Sequence, residues 1–567
     1  SDVTLTIEPG TLVLLEQDIS IEVFGRLLAD GTAAGAILFT RSGESGTWGR
    51  LLFRGADDSR LRHCTIEYSD CEGDHKDYYD DDCDPSTTPP SRSYFQAVVA
   101  VACHLDIEDC LFQNLPDASS SAEGDAIAII ADDPDLPGLA TANIRRSRFI
   151  GIGQGIHTRF APVVIEECFF TGHNGDNDDI DLYGESDPPP LVLNNVMIDP
   201  GHDDMINPTR CSAILIGNIV GGSDDHGIVL RDKSRPILIN NLVYDCSAAA
   251  VSVQNQCDAL LINNTLVNCG RGVRLFDHTS RWNPPYCLFP GSGRATLINC
   301  IIRDCPTPFD LEDSPREEDR GSHVTVMHCL IDGGRDASDV SANSTLTWGA
   351  GNIDADPLFA DEGGGDFRLR SALGRWDPGA AAFLVDTVTS PCIDAGLDAS
   401  TLYPELAEYL KWDFDRSGRA LDGDGDGEAT FDIGAFEAVA PNADSNGDGV
   451  PDGWYRRHDL NAALPGIGRQ NGDGDALSNY EEWVADTDPS DAGSSFLPAM
   501  ALEEGAVTIE FDGSPSRVYS LFESGDLGSW LPVAGQQALS GASRYLLSAP
   551  RSAPRRAYQI RIDVPEG

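Results

Sequence analysis

The chain is strongly acidic and long enough for more than one domain. Its 567 residues include 92 Asp and Glu against 39 Lys and Arg, a formal net charge of −53, and 41% are hydrophobic. This charge argues against nucleic acid or an anionic membrane as partner and favours divalent cations, which reduce repulsion between carboxylates. No apolar run approaches the roughly 18 residues of a membrane-spanning helix, so no transmembrane segment is predicted.

From the N-terminus to about residue 345 the sequence repeats. Each aligned segment has Cys, Ser or Asn at a reference position, with an aliphatic residue three before it and a large apolar residue two after it. The reference positions are Cys64, Cys110, Ser147, Cys168, Asn195, Asn218, Asn241, Asn264, Cys300 and Cys329. From Asn195 to Asn264 the interval is 23 residues three times in succession. Short strands, a bend and this period predict an all-β solenoid, a right-handed parallel β-helix.

The reference position is expected to point into the core. Asn side chains stacked there would bond one another and the backbone of adjacent coils, and Cys would fill the same inward position elsewhere. A second column, five residues later, holds Cys246, Cys269 and Cys305. Redox or metal chemistry is the alternative for these cysteines, but the sequence has no CxxC pair, and packing is favoured.

Three successive coils place acids just ahead of a strand, in the motifs DNDDIDL, GHDDMIN and SDDHGIVL within 176–230. The spacing of Asp181, Asp204 and His226 predicts that they stack along one edge of the solenoid. Clustered carboxylates could include one acid with a raised pKa and one ionised base, as inverting glycoside hydrolysis requires. A calcium site and a solvated acidic surface are the alternatives.

This edge is similar to that of polygalacturonase-type β-helix hydrolases, whose motifs run NTDxxD, DD, GHG and RIK. The resemblance implies as candidate catalytic residues Asp178, Asp181, Asp203, Asp204 and His226. The basic motif has no counterpart, because the next coil reads AAAVSV, and Arg231 and Lys233 are expected on the wrong side of the strand. His157 and His173 are expected to be turn residues.

Beyond Val326 the repeat gives way to IDADPLFADEGGGDFRLRS, SPCIDAG and DIGAFEA. This succession, over about 353–437, resembles the closing segment of secreted bacterial right-handed β-helix repeat proteins. The resemblance implies a protein released or held at the cell surface and is silent on activity. A disulfide between Cys71 and Cys83, the best candidate pair, would fit an oxidising compartment.

Two further segments, 444–454 and 471–489, resemble thrombospondin type-3 and dockerin-like calcium repeats. Calcium takes about 6–8 oxygen ligands, which a DxDxDG loop supplies at fixed positions. In the better match the ligands would be Asn471, Asp473, Asp475, the carbonyl of Leu477, Asn479 through water, and Glu482. Ala476 stands where Gly usually makes the sharp turn.

Two weaker calcium loops are predicted beside it. One would use Asp444, Asn446, Asp448 and Asp452. Its twelfth position is Tyr455, so it would have to borrow a ligand such as Asp486 or Asp488. The other would use Asp422, Asp424, Asp426 and Asp432. A solvated Asp/Gly linker is the alternative for this last run.

The final residues contain AVTIEF, RVYSLFES and AYQIRIDV, separated by turns, which predicts a small β-sandwich. The predicted domains are therefore the β-helix at 1–345, its closing segment at 346–440, a calcium-binding segment at 441–493 and the sandwich at 494–567.

Two hypotheses for function follow. The leading one is a secreted, calcium-stabilised structural protein of the bacterial surface or extracellular matrix, with Ca²⁺ as cofactor. It would assemble head-to-tail into filaments, because the ends of a β-helix expose unpaired strand edges. The alternative is a polysaccharide hydrolase or lyase, or a glycan-binding protein, that uses the acidic edge at 176–233.

Overall fold

A computed structural model describes residues 3–69, 96–115, 125–172 except 132, 134, 135 and 137, 178–198, 204–278, 291–314, 321–550 except 504, and 556–565. Outside these lie Cys71, Cys83, His173 and Asp203. The first of two compact units comprises Ser1–Leu369, Ser390–Asp415 and Thr430–Glu437. The second comprises Arg370–Thr389, Arg416–Ala429 and Ala438–Gly567.

The first unit consists of coils of three short strands. The opening strands are β1 Thr4–Ile7, β2 Leu12–Leu15, β3 Ile21–Val23, β4 Arg26–Asp30, β5 Ile37–Arg41, β6 Leu51–Arg54, β7 Ser59–Arg62, β8 Cys64–Glu67, β9 Val98–Val101, β10 His104–Glu108, β11 Leu111–Gln113 and β12 Ile127–Ile130. The middle strands are β13 Thr141–Arg145, β14 Arg148–Ile150, β15 Ile156–Arg159, β16 Val163–Glu166, β17 Phe169–Thr171, β18 Ile180–Tyr183, β19 Leu191–Leu193, β20 Val196–Ile198, β21 Ile206–Thr209, β22 Ile214–Ile216, β23 Ile219–Gly221 and β24 Ile228–Leu230. The last strands are β25 Ile237–Ile239, β26 Leu242–Tyr244, β27 Val251–Gln254, β28 Asp258–Ile262, β29 Thr265–Val267, β30 Val273–Phe276, β31 Arg294–Ile298, β32 Ile301–Arg303, β33 Phe309–Leu311, β34 His323–Met327, β35 Leu330–Ile331, β36 Asp339–Val340 and β37 Thr345–Trp348.

Every third strand joins the same parallel sheet. Sheet A runs from β1 to β37, sheet B from β2 to β35 and sheet C from β3 to β36. Parallel pairing between equivalent strands of successive coils confirms the predicted all-β parallel β-helix.

The interior confirms the predicted ladder. The side-chain amides of Asn195, Asn218 and Asn241 each donate to Oδ1 of the next Asn, at 3.0, 2.9 and 2.9 Å, ending at Asn264. Every cysteine that the structure describes is a buried free thiol. Burial raises the pKa of the Cys168 thiol to about 12. The burial of these cysteines as free thiols fits the predicted packing role.

The closing segment of the first unit adds short helices and one hairpin. The hairpin pairs β38 Phe359–Asp361 with β39 Asp366–Leu369. The 3-10 helices are Arg335–Ala337, Glu362–Gly364, Ala399–Thr401 and Pro404–Leu406, and the helix is α1 Ala407–Leu410. Leu406 and Leu410 pack against Ile239, Ile262 and Ile298, so this segment covers part of the outer face of sheet A.

The second unit holds the Asp-rich loops and the predicted sandwich. Its elements are the strands β40 Arg375–Asp377 and β41 Ala382–Leu384, the helices α2 Asp452–Arg457 and α3 Asn479–Ala485, the 3-10 helix Ile467–Arg469, and the strands β42 Ala499–Glu503, β43 Ala506–Asp512, β44 Val518–Ser524, β45 Leu531–Pro532, β46 Arg544–Pro550 and β47 Ala557–Asp563. The last six form two antiparallel sheets, in the orders β42-β43-β46 and β45-β44-β47. Phe511, Tyr519, Leu521 and Leu547 share the core between these sheets. Among the described helices, none is long and apolar enough to cross a membrane.

Candidate functional site

The outer face of sheet C carries a row of polar residues that are buried. Register partners on successive strands place His157, Asp181 and Asn207 in one row, then the apolar Val229, then Ser252, Arg274 and Asp310, and the six polar members define the polar row. All six but His157 are at most 8% exposed. Outward-facing polar groups are normally solvated, so their burial shows that neighbouring groups shield this face from solvent.

Just ahead of the strands lies a second level of the same face. Asp178, Asp204 and His226 each stand two residues before the paired residues Ile180, Ile206 and Ile228. The predicted stack is therefore correct for Asp204 and His226, and wrong by one level for Asp181. Asp181 lies inside β18 and pairs with Asn207. The coil between β18 and β21 is three residues longer than the 23-residue repeat, which shifts the register.

His226 is the centre of the second level. Its Nδ1 lies 2.7 Å from Asp225 Oδ1 and 3.5 Å from Asp204 Oδ1, and Arg231 donates to Asp204 Oδ2 at 3.0 Å. The side chains of His226 and Asp204 are 9% and 2% exposed. Burial disfavours the charged imidazolium, but Asp204 and Asp225 outweigh it and raise the pKa of His226. The close contact with His226 in turn lowers the pKa of Asp225.

A second His–Asp pair lies beside it. His157 Nδ1 is 2.8 Å from Asp181 Oδ2, and Asn207 donates to Asp178 Oδ2 at 2.8 Å. Thr209 donates to Asn207 Oδ1, so this amide is held from both sides. His157 lies within β15, so the expectation that it is a turn residue is wrong. Asp203, the remaining candidate at this edge, is not among the described residues.

The far end of the same strands carries arginines and an aromatic ring. The Arg159 guanidinium lies 4.7 Å from the centroid of Tyr183, and Arg210 donates to the Tyr183 hydroxyl at 2.9 Å. Phe160 meets the same ring edge-on at 5.7 Å. Arg231, which was expected on the wrong side of its strand, contacts Asp204 instead. The repeat alignment could have indicated Arg159 and Tyr183, which share one register position.

His226, Asp204 and Asp225 could also hold a cation, because each offers a ligand atom within 4.8 Å of the others. The carboxylates that favour the protonated imidazole would also attract a cation, so this group can take part in proton transfer or hold a metal ion.

In the second unit, three predicted calcium ligands converge. Asp473, Asp475 and Glu482 each offer an oxygen within 4.8 Å of the others. Glu482 is fully buried on α3, and neither of its carboxylate oxygens has a hydrogen-bond partner among the described residues. Burial, together with the charges of Asp473 and Asp475, raises the pKa of Glu482 to about 7. Three carboxylates so arranged fit a divalent cation.

The other predicted ligands of this loop have different roles. Asn471 Oδ1 accepts from Gly474 N at 2.6 Å, and its amide donates to the Asp475 carbonyl. The Leu477 amide N–H donates to Asp475 Oδ1, which holds the loop in its turn. The Asn479 amide donates to the Ile467 carbonyl, whereas its Oδ1 is buried without a hydrogen-bond partner.

The loop that begins at Asp444 is closed by its own hydrogen bonds. Asp448 accepts from the Tyr455 hydroxyl at 2.7 Å, and Asn446 donates to the Ala462 carbonyl. Asp444 accepts from the Asp448 and Gly449 amides. Fully buried Asp452 accepts from the Ser445 amide and hydroxyl.

Asp486 and Asp488, which were predicted to supply a further ligand to that loop, bond elsewhere among the residues that the structure describes. Asp486 accepts from Ser516, and Asp488 accepts from Ser490. In the third run, Asp422 accepts from two glycine amides, and Asp424 and Asp426 each accept from an amide two residues on. Asp432 belongs to the first unit, where it accepts from the Asp394 amide at 2.7 Å.

Comparison with known proteins agrees with the fold. Residues 93–284 match a family model described as right handed beta helix region, and residues 329–396 match one described as disaggregatase related. Each spans less than half of the chain. No curated protein matches it.

The similar solved structures include three of the periplasmic alginate epimerase AlgG. Two are point mutants, with 10% and 11% identity and TM-scores of 0.37 and 0.35, and the third has 11% identity and a TM-score of 0.31. Each alignment covers 61% of this chain and 78%, 79% and 78% of the respective epimerase chain. Similarity at this level carries no information about the site.

Proposed function

We propose that the chain is an exported polysaccharide-acting enzyme that transfers protons at the outer face of sheet C. The observation that carries this proposal is the buried group formed by His226, Asp204 and Arg231. Buried ionisable groups are costly to the fold, and they concentrate at sites where their protonation is used. This group adjoins a second buried pair, His157 and Asp181, on the same face.

The proposed roles follow from the contacts. His226 is the proton-transferring residue, since its raised pKa keeps a proton available near neutral pH. Asp204 positions the imidazole and is itself held by Arg231. Asp225 supports the imidazolium charge from the more exposed side.

A polymer suits this face better than a small molecule. The polar row extends along the solenoid axis over the coils from β15 to β33, which are about 4.8 Å apart, with Val229 as its one apolar interruption. The net charge of −53 argues against nucleic acid. An extended glycan is the remaining common polymer with hydroxyl groups for Asp, Asn and Ser to bind.

An activity screen tests the proposal. The full chain is incubated with neutral and acidic polysaccharides, and released reducing ends and unsaturated sugar ends are measured separately. Hydrolysis yields only the former, and β-elimination yields both. We expect turnover of at least one glycan by the wild type and none by His226→Gln. Equal turnover by the two proteins, or none on any glycan, contradicts the proposal.

We further propose that the second unit is stabilised by calcium, on the observation that Glu482 is buried beside Asp473 and Asp475. The site would also stabilise the terminal sandwich. Glu482 lies on α3, and the last carbonyls of α3 accept hydrogen bonds from a residue directly before β44. Arg517 donates to the Trp483 and Val484 carbonyls at 2.6 and 3.0 Å. A cation at Glu482 would therefore hold α3 and, through Arg517, the sandwich.

Calcium titration of the melting temperature tests this site. Calcium at a hundred times its dissociation constant should stabilise the second unit by about 2.7 kcal/mol. Glu482→Gln should abolish the effect, whereas Asp459→Asn, at a 93% exposed acid, should keep it. Affinity should fall as pH drops below about 7, because protonated Glu482 cannot bind the cation. A melting curve that calcium does not move contradicts the proposal.

The filament hypothesis stays a prediction. The ends of a β-helix expose unpaired strand edges, which a second copy could cover. Negative-stain microscopy in calcium, with chelator as control, should show fibres that shorten on chelation. A monodisperse monomer at high concentration in calcium excludes them.

A further inference from the structure

A groove of about 770 Å³ runs along the first unit, on the turns that lead from sheet C into sheet A. Its walls come from successive coils, from Glu185, just after β18, to Arg294, at the start of β31. The groove is therefore parallel to the solenoid axis. None of the candidate catalytic or calcium-binding residues is among the described residues that line it.

The charge of the groove differs in sign from that of the chain. Among the residues that the structure describes, the ionisable ones in its lining are Lys233, Arg235, Arg294, Glu185 and Asp258, three cations against two acids. Across the whole sequence, acids outnumber Lys and Arg by 92 to 39. All five side chains belong to exposed residues. A local excess of cations in so acidic a chain is expected to attract anionic ligands.

Two of the cations occupy the same level of the groove on different coils. Asp258 pairs in register with Arg294, and Arg235 stands one coil earlier at the same level, two residues ahead of a paired isoleucine. Arg235 and Arg294 are thus two coils apart, roughly 9.6 Å along the axis. This separation is comparable with the length of a disaccharide. Guanidinium groups bind carboxylates through two parallel hydrogen bonds, which favours arginine for this task.

The groove and the candidate site share one coil. His226 precedes β24, and Lys233 follows it. Between them, Arg231 reaches back to Asp204 in the site. The groove lies at the opposite end of the sheet C strands from His226, so another segment of the same polymer can reach it.

We infer that this groove binds the carboxylate groups of an acidic polysaccharide, a polyuronate, several sugars away from His226. The inference rests on the proposed function for its substrate and names the class to which that substrate belongs. The coil after His226 carries no basic motif. In the groove, turns of several coils supply cations instead.

Affinity electrophoresis of the full chain through gels containing polygalacturonate, a sulfated galactan or a neutral glucan tests the inference. The test variant is Lys233→Ala/Arg235→Ala/Arg294→Ala. The control, Arg62→Ala/Arg146→Ala/Arg148→Ala, removes the same charge from exposed positions on sheets A and B. We expect about tenfold weaker binding to polygalacturonate in the test variant and less than about twofold in the control.

The outcomes separate the groove from the active site. Equal loss of binding in both triple variants indicates general electrostatics and overturns the inference. The inference is also overturned if the wild type is retarded only in the gel that contains the sulfated galactan. It is overturned as well if the neutral glucan retards the wild type as much as polygalacturonate does. If no glycan is turned over but binding depends on the groove, the proposed function fails and this inference stands.

In the competing explanation, the charged residues of the groove only stabilise the fold and bind no ligand. It predicts that the groove triple variant melts at a lower temperature than the control triple variant, with unchanged polygalacturonate binding. We expect the reverse, equal melting temperatures and weaker binding, because exposed ion pairs contribute little to folding.

Discussion

The outer faces of sheets A and C both carry His–Asp and Arg–Asp pairs, yet they differ in burial. On sheet A, Arg60 meets Asp30 at 2.6 Å with side chains 42% and 35% exposed, and His104 meets Asp106 at 3.2 Å in similar surroundings. On sheet C, the corresponding pair of His226 and Asp204 is almost completely buried. The same residue types therefore occupy two electrostatic environments on one solenoid.

This difference in burial separates pairs that keep the surface solvated from pairs to which we assign the proposed chemistry. Exposed pairs contribute at most about 1 kcal/mol and are screened by salt. Buried charges cost several kcal/mol each unless partners offset them. A fold that needs only stability could use apolar residues on sheet C, as strands β9 and β12 do with Val99 and Ala128. At this register position β3 carries the exposed Glu22 and β6 carries Leu52, so the buried acids and histidines begin at β15, where we place the proposed chemistry.

The largest expected effect is on turnover. On the glycan identified by the activity screen, His226→Gln and Asp204→Asn should each lower kcat by about 10²–10⁴-fold, the usual contribution of general acid–base catalysis. His104→Gln, in the exposed pair on sheet A, should change it less than about twofold. Comparable losses in all three variants would remove the distinction between the faces.

Stability should also distinguish the faces. Asp204→Ala leaves Arg231 and His226 without their buried carboxylate, and should cost about 3 kcal/mol in the free energy of unfolding. Asp30→Ala on sheet A should cost less than about 1 kcal/mol. Urea denaturation of both variants measures the difference. Equal costs would show that burial at sheet C does not isolate its charges from water.

A polar group buried for structure provides a third comparison. Asn241→Leu should cost about 1–3 kcal/mol, because it leaves the backbone of neighbouring coils unpaired without affecting turnover. Asn143→Leu, on the outer face of sheet A, should stay within about 0.5 kcal/mol. Thermal unfolding of the two variants checks this. Turnover lost with Asn241→Leu at full stability would contradict the assignment.

The smallest effect expected is a shift in pH dependence. The pKa of His226 is raised, so its imidazolium and the stability it contributes are present below the unfolded value and lost as pH rises through the folded value. Activity that needs the proton is lost over the same rise. Asp225→Asn removes one raising partner, so the loss should move to lower pH in a profile of kcat. A shift to higher pH contradicts the assignment.

Local periodicity determined much of this protein. Inward positions such as Asn218 and Asn241 obey the alternation of a strand and recur with the coil, so the sequence alone predicted the β-helix, the ladder and the packing role of the cysteines. The carboxylates of the loop that ends at Glu482 could be predicted for the same reason. Their spacing lies within one short segment, so few distant contacts affect it.

The tertiary structure alone decided which outward residues meet. Asp178, and not Asp181, shares a level with Asp204 because one coil is longer than its neighbours, and His157 joins the site through pairing between β15 and β18. Burial of sheet C and the cationic groove likewise arise between coils. Outward side chains carry no periodic signal, since their neighbours are set by coil length and sheet register and not by the local sequence.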